Sequence, residues 1–107
     1  MPTYNKLVRD RIPDTIEKSG KRFRAMTLDE STYEKELKVK LKEEMEELLR
    51  AKSREEQVEE MADLLEVVYA LGKLEGIEPG EIEHVRKKKR TERGGFEERF
   101  FLIDVEE

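Results

Sequence analysis

The sequence predicts an all-α protein, an antiparallel helical bundle built on a two-helix hairpin, with short strands expected only at its termini. Three observations carry this reading. Two long runs, about 31–51 and 54–75, consist mainly of strong helix formers (Leu, Lys, Glu, Met) with apolar residues recurring at helical intervals. Each opens on a capping-box pattern, Ser31 with Glu34 and Ser53 with Glu56. The link between them is only two or three residues long, which favours antiparallel packing of the two helices.

The remaining elements follow in chain order. Residues 4–9 (YNKLVR) suit a short strand or an extended arm. Pro13 falls where a first helical turn tolerates proline and Gly20 marks a stop, so 12–19 is expected to be a short helix, with Asp10 available as its cap. Beyond the hairpin, Gly76 ends the second long helix. Pro79 opens a further one that runs through IEHVRKKKR and stops at Gly94-Gly95. The tail RFFLIDVE is apolar and β-prone, and a terminal strand is expected there. No low-complexity linker interrupts the chain, so residues 1–107 are expected to form a single domain.

Composition narrows the chemistry. With no cysteine among 107 residues, disulfides, thiolate metal sites and cysteine nucleophiles are excluded. No apolar run approaches the roughly 18–20 residues of a membrane span. The N-terminal MPTYNKLVRDR lacks the apolar centre of a signal peptide, so a cytoplasmic location is expected. Charged residues make up 46% of the chain, with no Trp and three Pro, a composition that hints at a heat-adapted source. The net charge of −5 is unevenly spread: +4 over residues 1–24, −10 over 25–83, +5 over 84–96 and −4 over 97–107. An acidic middle flanked by basic segments argues against a partner that is a nucleic-acid polymer. It is compatible with a metal site beside a phosphate site, and equally with a mixed, solubilising surface.

Helical phase sorts the acids in EEMEELL (43–49) and EEMADLL (59–65). At about 100° per residue, Tyr33, Leu37, Leu41 and Leu48 form one stripe, widened by Met45 and Leu49. Glu44 falls near the centre of that stripe and Glu47 at its edge, while Glu46 points away and Glu43 lies well off it. On the second helix Glu60 lies inside the apolar arc of Met61, Leu64, Leu65, Val68 and Leu71, and Asp63 lies beside it; Glu59 and Glu66 point away. A turn near 52–53 brings the pair 44/47 beside the pair 60/63. A carboxylate facing a core is costly unless it is paired or bound to a cation. All-oxygen donors of this kind suit Mg²⁺, or Mn²⁺, which shares its shell with substrate phosphates. Neutralisation by Lys or Arg from a third helix is the bland alternative.

The spacing Glu44-x-x-Glu47, twelve residues, Glu60-x-x-Asp63 resembles the ExxE…ExxD signature of the all-α nucleoside triphosphate pyrophosphatases. That superfamily includes MazG-like enzymes, dimeric dUTPases and phosphoribosyl-ATP pyrophosphohydrolases. The start YNKLVRDRIPDTI and the later KKKRTERGGF resemble one MazG-like branch, often labelled phosphoribosyl-ATP pyrophosphohydrolase-like. The resemblance implies Mg²⁺ held by Glu44, Glu47, Glu60 and Asp63, with one of these as general base, and cleavage of a nucleoside triphosphate into monophosphate and pyrophosphate. A house-cleaning role on non-canonical nucleotides is the first expectation, and hydrolysis of phosphoribosyl-ATP in histidine synthesis the rival. The resemblance further implies that Lys6, Arg9 and Asp10, with Lys87, Lys88, Arg90 and Arg93, contribute to substrate or phosphate binding. Taken singly, the basic residues near the end of that helix also suit the helix dipole and solvent.

Related enzymes assemble through four-helix cores, so a homodimer or homotetramer is expected. The second long helix supports this on its own, because its apolar residues cover more than half of its circumference. A non-catalytic helical dimer serving as an interaction module is the reading from another class, and it would not need acids on buried faces.

Overall fold

A computed structural model of the chain describes residues 2–107, and its described elements are four helices: α1 (Ile12–Lys18), α2 (Glu30–Arg50), α3 (Arg54–Leu74) and α4 (Pro79–Arg93). The architecture is all-α. Pro13 and Pro79 each sit in a first helical turn, where the missing N–H is no loss. Gly94 ends α4 with φ +83°, a left-handed conformation that glycine adopts without steric cost.

The two long helices begin differently. α3 starts at Ser53, whose Oγ accepts a hydrogen bond from the Glu56 N–H at 3.1 Å. The Glu56 carboxylate accepts from the Lys52 N–H at 3.2 Å, one residue before the partner that a full capping box uses. α2 does not start on Ser31. Its cap is Asp29, whose Oδ1 accepts from the Thr32 N–H at 2.8 Å, and that bond holds the Asp29 carboxyl below its ordinary range. A charged acceptor at the positive end of the helix outcompetes a hydroxyl two residues later. Asp10 likewise does not cap α1: Arg11 occupies that position and makes no side-chain cap bond.

Among the described residues there is no strand: the terminal strand expected from RFFLIDVE does not form, and of the two readings of 4–9 the strand is excluded and the arm left. Two residues explain this locally. Asn5 (φ +44°) and Arg99 (φ +59°) take left-handed conformations that break an extended run. The backbone bonds given for these segments are turns, Ile12 N–H to Arg9 O at 3.0 Å and Arg99 N–H to Phe96 O at 3.2 Å, and not the ladder that a strand needs. Phe100, Phe101 and Ile103 therefore remain more than four-fifths exposed.

The chain divides after Gly76 into two units, Met1–Gly76 and Ile77–Glu107. In the first, α2 and α3 pack against each other through the short link at Ala51–Ser53. The hairpin core is thin: Leu37 and Val67 are the buried apolar residues, with Tyr33, Leu41, Leu48, Leu64, Val68 and Leu71 half-buried around them. The second unit consists of α4 and the tail, and within it Arg90 pairs with Glu97 at 2.7 Å. No helix of the described chain is long and apolar enough to cross a membrane.

Candidate metal centre

Glu44 is 5% exposed, the one charged residue among the described residues buried as deeply as the apolar core. It lies seven residues after Leu37, on the same face of α2, and the packing that buries Leu37 against α3 buries Glu44 too. Glu47, one turn on, and Glu60, on the facing helix, are half-buried beside it. One carboxylate oxygen from each of the three lies within 4.8 Å of the others. By contrast Glu46 and Glu59 are exposed, the solvent orientation that helical phase assigns them.

The electrostatics of this group are unfavourable as it stands. Glu44 Oε2 and Glu60 Oε2 are buried without a hydrogen-bond partner. Burial pushes the Glu60 carboxyl up from 4.5 to about 7, helped by hydrogen bonds that its protonated form makes to Glu44 and Glu47 and by repulsion from both. Without that proton the oxygens of Glu44 and Glu60 face one another as acceptors only. The nearest compensation for Glu44 is Lys40, one turn earlier on α2, with Nζ 3.4 Å from Glu44 Oε1 and 3.7 Å from Glu43 Oε1. Sequence reasoning passed over Lys40, although the four-residue spacing from Glu44 was its signal.

Asp63 stands apart from this group. Its Oδ1 accepts a hydrogen bond at 2.6 Å from Nη2 of Arg9, in the segment that precedes α1. The structure thus brings together Glu44, Glu47 and Glu60 of the expected acidic set and places Asp63 in an ion pair. Of the other expected binding residues, Lys6 lies with its Nζ 5.7 Å from the Tyr4 ring centroid, and Asp10 is exposed. Lys87, Lys88, Arg90 and Arg93 are exposed on α4 in the second unit, and Arg90 is engaged by Glu97. A cleft of about 230 Å³ adjoins the carboxylates, lined by Glu47, Arg50, Ala51, Glu56 and Glu60. Arg50, which sequence reasoning also missed, is the cation on that wall.

The donor set suits a hard divalent cation. All donors are oxygens, they lie within 4.8 Å of one another, and Glu44 Oε2 and Glu60 Oε2 are buried and unpartnered. The sequence model of the family described as phosphoribosyl-ATP pyrophosphohydrolase matches residues 1–90, which include all three carboxylates, Asp63 and Arg9. Comparisons with curated proteins and with solved structures gave no match.

Proposed function

The chain belongs to the phosphoribosyl-ATP pyrophosphohydrolase family, within the MazG-like all-α pyrophosphatases, and from that premise we propose that it is a Mg²⁺-dependent nucleotide pyrophosphohydrolase. Its substrate is a nucleoside triphosphate, cut between the α and β phosphates to give the monophosphate and pyrophosphate. One observation carries the metal reading: Glu44 is buried with an unpartnered oxygen, clustered with Glu47 of its own helix and with Glu60 across the α2–α3 hairpin. A solvated charge run would not place its acids there.

Glu44, Glu47 and Glu60 would hold the cation, with Asp63 available as a fourth donor. When bound, a divalent cation would neutralise the triphosphate and favour attack by water near neutral pH. The chain's own residues do the rest by positioning. Lys40 fixes one oxygen of Glu44, leaving the other turned to the site. Glu60, which holds a proton up to about pH 7 in the metal-free protein, gives it up to become a ligand. One carboxylate of this set would accept the proton of the attacking water. The adjoining cleft, with Arg50 on its wall, receives phosphate oxygens.

The test is pyrophosphate release from a panel of common and altered nucleoside triphosphates, together with phosphoribosyl-ATP, in Mg²⁺ and in Mn²⁺. Release from at least one of them, abolished by Glu47→Gln with the helical content unchanged, is expected. Silence across the whole panel would leave the chain a helical interaction module. Self-association belongs to the same proposal, because Met45, Leu49, Val58, Met61 and Leu65 are each about half exposed or more on the hairpin. A second copy covering these residues makes a homodimer or homotetramer. Sedimentation as a fully active monomer would count against it.

A further inference from the structure

Asp63 follows Glu60 by three residues on α3, so their side chains occupy neighbouring positions on one face. Yet Glu60 turns to Glu44 and Glu47, whereas Asp63 is drawn to Arg9 across 54 residues of sequence. The 2.6 Å contact is short, but both partners are substantially exposed, 57% for Arg9 and 40% for Asp63. An ion pair this open to water is easily exchanged. The Arg9 carbonyl accepts a hydrogen bond from the Ile12 N–H at 3.0 Å, which holds its backbone at the start of α1, so the change of partner is made by the long, exposed side chain.

We propose that the Arg9–Asp63 ion pair is a latch that withholds Asp63 from the Glu44–Glu47–Glu60 cluster until a polyphosphate engages Arg9. The idea rests on the metal reading given above. Electrostatics favours each of its two states in turn. Without a cation, three carboxylates repel a fourth, and Arg9 neutralises it at a distance from them. With a cation in place the cluster attracts Asp63. The guanidinium then needs a replacement anion, and phosphate oxygens match its planar fork at least as well as a single carboxylate does. The pairing of Asp63 is thus a two-state element that metal and polyphosphate bias in the same direction, and each ligand strengthens the binding of the other. Arg9 is in this sense a positioning residue, acting on the cation through Asp63.

The test is a thermodynamic cycle on the full chain at fixed ionic strength, read by calorimetric titration. With Mg²⁺ alone and no nucleotide, Arg9→Gln is expected to bind the ion about 2–5-fold more tightly than wild type, the scale of releasing an exposed ion pair. Arg9→Lys, which keeps a cation for Asp63, should restore most of the wild-type affinity. The double variant Arg9→Gln/Asp63→Asn should lose the gain. In the reciprocal titration, with inorganic tripolyphosphate in EDTA, Asp63→Asn should bind about 2–5-fold more tightly than wild type and the double variant should not. An Arg9→Gln protein of unchanged helicity that binds Mg²⁺ no more tightly than wild type overturns the latch alone. A gain that persists in the double variant does the same, since it would reflect only the loss of a positive charge. Wild type that binds neither Mg²⁺ nor Mn²⁺ overturns the metal reading and the latch with it.

Discussion

Glu44→Gln separates a catalytic burden from a structural need. The substitution keeps the side-chain shape, removes one charge from the cluster and supplies two N–H donors. In the metal-free protein Glu44 Oε2 and Glu60 Oε2 lack partners, and a buried acceptor left unmade costs about 1–3 kcal/mol. An amide at position 44 satisfies Glu60 and relieves a like-charge contact. Against this stands the loss of Lys40's attraction at 3.4 Å, softened because Lys40 retains Glu43 at 3.7 Å. That loss is worth about 1 kcal/mol. The net expectation is a metal-free variant more stable than wild type by about 1 kcal/mol, or about 4–8 °C in Tm for a domain of this size. Mg²⁺ reverses the order: at a hundredfold excess over Kd it adds about 2.7 kcal/mol to wild type and much less to the variant, which also loses turnover. The assay is thermal melting followed by far-ultraviolet circular dichroism, in EDTA and in Mg²⁺. It is run above about pH 7, where Glu60 is ionised, and at fixed protein concentration because self-association shifts Tm. A variant that melts below wild type in EDTA, and gains as much as wild type from Mg²⁺, would refute the reasoning and make Glu44 a structural partner of Lys40.

Two further expectations concern pH and the helix ends. The native carboxyl of Glu60 titrates near 7 against an ordinary 4.5, so the folded state binds its proton more tightly than the unfolded state does. Stability from this group is therefore fully present below about 4.5, falls as pH rises towards 7, and is flat above. The stability difference between wild type and Glu60→Gln in EDTA should trace that window, and Mg²⁺ affinity should climb through it. A flat difference from pH 4.5 to 7 would contradict the burial argument. At the start of α2, Asp29→Ala should cost about 1 kcal/mol in chemical denaturation, and Ser31→Ala a few tenths at most. Equal costs would move the cap to Ser31.

How far the sequence reaches depends on how local each determinant is. The α2–α3 hairpin is legible because its signals are short in range: residue propensity, a period of three and four, and a link too short for any other packing. The burial of Glu44 is legible for the same reason, since its phase relative to Leu37, Leu41 and Leu48 follows from counting residues. The position of Asp63 is not legible. The same phase argument sets it beside Glu60, and only a guanidinium 54 residues away moves its carboxylate elsewhere. The cap of α2 is misread because Asp29 and Ser31 are both good caps two residues apart, and charge decides between them. The terminal strands fail on a different ground. β-propensity describes how a side chain suits a pleated surface, but RFFLIDVE finds no such surface here, and Arg99 turns out of the extended region at its first residue.

The thinness of the core sharpens the functional reading. With Leu37 and Val67 as the buried apolar residues of the hairpin, a leucine at position 44 would have been the stabilising choice. The chain instead places there a carboxylate with an orphaned oxygen, opposite a second carboxylate pushed towards neutrality. Lys40 offsets part of the charge on Glu44, from the same helix and at only 3.4 Å, and makes no ion pair with Glu47 or Glu60. A purely structural salt-bridge network would have set a cation between α2 and α3, where the three acids meet. The positive charge that would balance the three acids is the one the proposed cation would bring. The free energy of cation binding then becomes part of the stability of the hairpin, so the loaded protein should fold more firmly than its apolar core alone allows.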